Sequence, residues 1–186
     1  MPMRQVIPAS IREDYVYWKT YMHEHVDFSH GASVIHTKAH CERVLLYALI
    51  LARKLKLTEA ETTSLCHAAV YHDSRRHDDW LDVGHGKRAA EYYRQACQAG
   101  ALPFYRLAYD VMAWHDHADE EGLAVIREHA TSPHAGLVYQ TFKDADALDR
   151  FRLGSNGLDV RYLRSEAARQ LYDYAHAVWT DGLEEG

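Results

Sequence analysis

The stretch TKAHCERVLLYALILARKL, Thr37 to Leu55, decides the fold. Val44, Leu45, Ala48, Leu51, Ala52 and Leu55 recur at spacings of three and four, the signature of a helix with a broad apolar face. Its unbroken apolar run, Val44 to Ala52, is far shorter than the roughly 20 residues needed to cross a bilayer. This is therefore a core helix of a globular protein. The next helix starts at Thr58-Glu59-Ala60-Glu61, a capping box in which Thr58 and Glu61 each satisfy a free backbone donor. It carries Leu65, Ala68, Ala69 and Val70 and is predicted to end near Asp73. On the other side, the loop composition of Asp27 to Ser33 separates the core helix from a first helix over Ile11 to His25.

The rest of the chain continues the pattern. Helices are predicted over His85 to Ala99, stopped by Gly100, and over Leu102 to about His117. A shorter one covers Leu123 to Glu128. Another follows Pro133 and runs through Val138, Phe142, Ala145, Leu148 and Phe151. The last is a long helix over Leu163 to Trp179. No alternating strand and no internal repeat stands out. The expected architecture is a single all-α bundle of about seven to eight helices. Residues 1–31 supply an N-terminal helix and loop packed on a core formed by 32–186.

Composition agrees. Of 186 residues, 10 are glycine and only 4 proline, which suits long helices better than turn-dense β structure. The formal net charge is −6, which argues against a nucleic-acid binder but leaves room for a local basic pocket. MPMRQVIPASIRED at the N-terminus has no apolar signal-peptide core. Cys41, Cys66 and Cys97 form no CxxC pair and are expected to be reduced thiols, so a cytoplasmic location is expected.

Histidine is the anomaly, at 14 residues. On the helical skeleton, His40 lies early in the second helix, and His72 and Asp73 lie at the end of the third. His85 opens the fourth, His115 closes the fifth, and Asp146 lies in the seventh. Five helices thus offer an imidazole or carboxylate, and such groups can converge from facing helices of a bundle. Imidazole and carboxylate without thiolate suit Mn, Fe, Co, Ni or Zn rather than a structural zinc finger.

The strings HTKAHCERVLLYALILA, AAVYHDSRRHDDW, VGHGKRAAEYY, MAWHDHADEEG and FKDADALDRFRLG occur in that order. Together they resemble the HD superfamily of metal-dependent phosphohydrolases, whose pattern is a histidine, a His-Asp pair and a distant aspartate. The tail LDVRYLRSEAARQLYDYA is similar to small bacterial single-domain members. The resemblance spans roughly Ala32 to Ala177 and implies an all-helical fold. It implies His40, His72, Asp73 and Asp146 as ligands of one ion, with His85 and His115 added where two ions bind and Asp73 able to bridge them. His36 rivals His40, and His117 rivals His115. Asp149 is expected to be a supporting or salt-bridged group, and Asp144 a solvated one. His67 is expected to be a packed histidine, and His77, His129, His134 and His176 surface residues. Cys41 points away from the ligand side.

The chemistry implied is hydrolysis of a small phosphorylated metabolite or nucleotide. One or two divalent transition-metal ions would acidify water to a pKa of about 7 and neutralise phosphoryl charge. Asp73 and Arg76 are the expected catalytic residues. Arg75, Arg76 and Lys87 are the expected phosphate contacts, Arg76 first because guanidinium binds phosphate bidentately and Lys87 second. Arg88 and Arg152 read as surface charges. Two alternatives remain: an HD-type di-iron oxygenase, and a non-catalytic module that binds a phosphorylated ligand.

Overall fold

The computed structural model describes residues 5–130 and 132–184. The first four residues of the N-terminal stretch, and the last two of the chain, lie outside it. Among the described residues it is an all-α bundle. The helices are α1 (Arg12–His25), α2 (Lys38–Lys54), α3 (Glu59–Tyr71), α4 (His85–Gln98), α5 (Arg106–Trp114), α6 (Asp119–Glu128), α7 (Ala135–Leu148), α8 (Glu166–Arg169) and α9 (Tyr172–Asp181).

Helix α2 is the centre. Its N-terminus is fixed by Thr37, whose side chain accepts the His40 N–H at 3.3 Å. Helices α1, α3 and α7 pack around it, so it is buried on nearly every side, from His40 and Cys41 through Val44–Leu49 to Leu51 and Ala52. Each large aliphatic side chain sealed there contributes about 1.5–3 kcal/mol of transfer free energy. Both halves of the Thr58–Glu61 capping box form at the start of α3. Helix α1 buries Tyr15, Trp18, Tyr21 and Met22 in the same core, against α2 and α3.

Helix α6 starts at Asp119, ahead of the expected Leu123, and three other elements differ from the sequence reading at a tertiary contact. The helix expected over Leu163 to Trp179 is broken into α8 and α9. The buried carboxylate of Asp144 accepts the backbone N–H groups of Arg164 and Ser165 at 2.6 and 2.9 Å, which fixes a helix start at Ser165. The helix expected from Leu102 starts only at Arg106. The Tyr93 hydroxyl accepts the Tyr105 N–H at 2.9 Å and donates to Pro103 O at 3.3 Å, which ties down the segment before it. Finally, a two-residue strand β1 (Gln5–Val6) pairs in parallel with β2 (Leu183–Glu184), too short to leave an alternating pattern. No helix among the described residues is long and apolar enough to cross a membrane.

Candidate metal centre

The ends of α3 and α5 and the starts of α2 and α4 meet where α7 crosses the core. His40, His72, Asp73, His85 and His115 are buried there. Asp146 joins them with its side chain one-third exposed (33%), and it gives the cluster its side towards solvent.

Ring orientation follows from local structure. His72 and His115 occupy the C-caps of α3 and α5, where the last carbonyls lack helical partners. Their Nδ1–H groups donate to Ala69 O at 3.0 Å and Met112 O at 2.7 Å. His85 Nδ1–H donates to Asp82 O at 2.7 Å in the preceding loop. His40 lies near the helix start and has no such carbonyl, so its Nδ1–H donates to the Asp149 carboxylate at 2.7 Å. Arg43 holds that carboxylate from the far side, with Nε at 2.5 Å and Nη2 at 3.0 Å. This carboxylate–imidazole pairing is the usual support of a metal-ligating histidine.

With every Nδ1 occupied, four Nε2 atoms face inward. His40 and His72 Nε2 are 3.2 Å apart, and His85 and His115 Nε2 are 2.9 Å apart. Neutral rings in this tautomer present lone pair to lone pair. Such a contact is stable only with a proton on one ring or a cation ligated by both. Burial pushes His72 down to about 3, and burial with the neighbouring His85 lowers His115, so both resist protonation. Burial also opposes protonation of His40 and His85, but hydrogen bonds to carboxylates outweigh it and leave both raised.

Asp73 joins the two pairs. Its Oδ1 is 3.0 Å from His85 Nε2, while its Oδ2 lies 3.5 Å from His40 Nε2 and 3.9 Å from His72 Nε2. Burial opposes its charge, but the surrounding imidazoles hold its pKa well below the ordinary carboxylate value. Asp146 Oδ1 is 3.3 Å from His40 Nε2. Two donor sets, His40–His72–Asp146 and His72–Asp73–His115, each lie within 4.8 Å and are compact enough to hold a metal ion.

The structure therefore brings together all six residues expected from the sequence as ligands. Of the rivals, His117 points elsewhere, to Glu121 at 3.3 Å. His36 reaches the cluster from outside the six, donating from Nδ1 to Asp73 Oδ2 at 2.7 Å. The basic residues divide. Arg76 is buried with Nη1 at 3.6 Å from Asp73 Oδ1. Arg75 lies against the Tyr92 ring and donates to Asp27 O at 2.5 Å; Lys87 donates to the Tyr109 hydroxyl at 2.5 Å. Neither shares a hydrogen bond or ion pair with the cluster.

Two expectations are corrected. Asp144 is not solvated: it is fully buried and accepts bonds from Arg164 and Ser165, because the 100° step between helical residues turns it away from Asp146. Arg152 is not a free surface charge. It braces Ile35 O at 3.1 Å and Asp149 O at 3.2 Å, and its charge works against the net raise of the His40 pKa and adds to the lowering of Asp146.

Two residues were absent from the sequence reading. Asp116 is nearly buried between His85 and His115, and its Oδ2 accepts Gly84 N–H at 2.6 Å and Gly86 N–H at 3.4 Å. It thereby ties the start of α4 to the end of α5. Gly86 makes the approach possible. A Cβ there would collide with Met112 O and come within 2.8 Å of His115 Nδ1. The only sequence signals were its place beside His85 and the place of Asp116 beside His115.

No protein-family model, curated protein or solved structure matches the chain.

Proposed function

We propose that this protein is a metal-dependent phosphohydrolase of the HD type acting on a small phosphorylated metabolite. The observation that carries the reading is the convergence of four inward Nε2 atoms on Asp73 and Asp146, with every Nδ1 already committed to a carbonyl or carboxylate. With each Nδ1 so committed, the Nε2 atoms are aimed where a shared cation would satisfy both rings of a pair at once, and the lowered pKa of His72 and His115 favours that over protonation of those two rings. His40, His72 and Asp146 would hold one divalent transition-metal ion, and His85 and His115 would hold a second, with Asp73 within reach of both pairs. When bound, the ions acidify a water nucleophile and neutralise phosphoryl oxygens.

The protein's own groups do the rest. Asp149 with Arg43 keeps His40 turned inward. Asp146, on the solvent side, marks the approach, and Arg152 beside it supplies a fixed cation for an arriving phosphate. A small cavity of about 160 Å³ is lined in part by Ser33, His36 and Thr37, and His36 links it to Asp73.

Protein stripped of metal and reloaded with Mn(II), Co(II) or Zn(II) should hydrolyse members of a panel of small phosphomonoesters and diesters. Asp73→Ala should abolish turnover and lower bound metal. Absence of turnover with every ion, together with unchanged metal content in Asp73→Ala, overturns the reading. An oxygenase reading gains from one observation, that only one of the three expected phosphate contacts, Arg76, reaches the cluster. Oxygen uptake by the iron-loaded protein, with no phosphoester turnover, would favour it.

A further inference from the structure

We propose that the two ion positions are unequal, and that the Arg76 guanidinium keeps the His85–His115 position weak and exchangeable. The inference rests on the reading of the cluster as a metal centre.

The two positions have different electrostatic surroundings. At the first, His40 is backed by the buried carboxylate of Asp149, itself paired with Arg43, and Asp146 adds a second negative charge; Arg152 acts there only through its charge, its guanidinium being held by Ile35 O and Asp149 O. At the second, His85 and His115 are backed by carbonyls, the neutral oxygens of Asp82 and Met112. Asp116 stands 3.4 Å from His85 Nδ1, but its Oδ2 is shared with the backbone N–H groups of Gly84 and Gly86. Against this weaker negative set lies a full positive charge. Arg76 Nη1 is 3.2 Å from both ring nitrogens of His85, so it rests on the imidazole and not on a single lone pair. The same atom is 3.6 Å from Asp73 Oδ1.

Arg76 has little freedom to leave. It is only 6% exposed. Its Nε donates to Asp78 O at 3.1 Å and its Nη2 to Trp80 O at 2.6 Å. The rigid guanidinium plane converts those two anchors into a fixed direction for Nη1, which a flexible lysine would not have. A cation ligated by His85 Nε2 and Asp73 Oδ1 therefore sits one contact away from a fixed positive charge. Like-charge repulsion in a buried site is screened poorly. The His40–His72–Asp146 position shares no hydrogen bond or ion pair with Arg76 beyond the common Asp73.

The sign of the effect is the useful part. Removing a residue from a metal site ordinarily weakens binding; removing this one strengthens it. Metal-stripped full-length wild type, Arg76→Lys, Arg76→Gln and Arg76→Met are titrated with Mn(II), followed by the spin-resonance signal of the free ion, and with Zn(II) by calorimetry. Circular dichroism verifies folding. Gln retains a donor for the Trp80 or Asp78 carbonyl, so it carries the test if Met disturbs the loop.

Wild type should bind a first ion tightly and a second at least about tenfold more weakly. In Arg76→Gln and Arg76→Met the second ion should tighten by about tenfold or more while the first is unchanged. Arg76→Lys, which keeps the charge, should stay closer to wild type. Equal affinities in wild type, or a second affinity that is unchanged or weaker in both neutral variants, overturns the proposal. A single bound ion in wild type and in both neutral variants overturns it too, while leaving the metal-centre reading intact. No bound metal in any protein removes that reading and the proposal together.

Discussion

The His40 half and the His85 half of the cluster use the same donor types but are built differently. His40 lies early in a central helix, and its ring is set by Asp149, which is 109 residues away in sequence. His85 and His115 are set by carbonyls three residues earlier in their own segments. The first half depends on long-range packing of α2 against the end of α7. The second depends on local turns, brought together by the close approach that Gly86 permits and Asp116 clamps. Two ligand pairs of similar appearance should therefore fail in different ways.

The largest effect is expected at Asp73, the residue common to both halves. Asp73→Asn should lower affinity for all bound metal and reduce turnover by more than about a hundredfold, since the lost charge served both positions. Metal analysis of the purified variant is the measurement. Gly86→Ala should break the second half alone. The added methyl pushes α4 off α5, with a cost of about 1–3 kcal/mol in stability, and the second ion should be lost while the first remains. Loss of both ions in a folded protein would show that the halves are not separable.

Asp149→Asn should do the reverse. It weakens the first ion about 10–100-fold, because His40 loses the charged partner of its Nδ1–H, and it leaves the second ion in place. A metal titration resolves the order of loss.

The smallest effect on metal is expected at His67, which separates burial from ligation. It is fully buried on α3, the same helix that ends at His72, but its Nδ1 meets only the Tyr93 hydroxyl at 2.9 Å. His67→Phe should leave the metal content unchanged and act on stability alone. Burial lowers the His67 pKa from 6.5 to about 4. Between these values the unfolded chain binds more protons than the folded one, so stability rises with pH across that window. The contribution is fully present above about pH 6.5, and on the order of 3 kcal/mol is lost by about pH 4. Acid unfolding curves should show a steeper loss across this window in wild type than in His67→Phe, where His72 and His115 still contribute.

The fold was legible because the helices announce themselves locally. The period of Thr37–Leu55 and the Thr58–Glu61 box need no partner to be read. The start of α8 at Ser165 was not legible, since the group that fixes it is Asp144, some 20 residues away. The site divides along the same line. His72, Asp73 and His115 sit at helix ends, where an inward ring follows from free carbonyls. Asp144, Asp146 and Asp149 were visible as three carboxylates on one helix and its extension. Their roles were separated only by what faces each of them: Arg164 and Ser165, the cluster, and His40 with Arg43.

The sequence by itself determined an all-helical chain and the order of its imidazole and carboxylate donors, because helix periodicity, capping and residue type are local properties. Only the tertiary structure decided that Arg76 joins the cluster while Arg75 and Lys87 turn to Tyr92 and Tyr109, and that Asp116 and Gly86 hold α4 against α5. A charged side chain carries no direction in sequence. Its partner is chosen by which helix packs beside it and how closely the backbones approach.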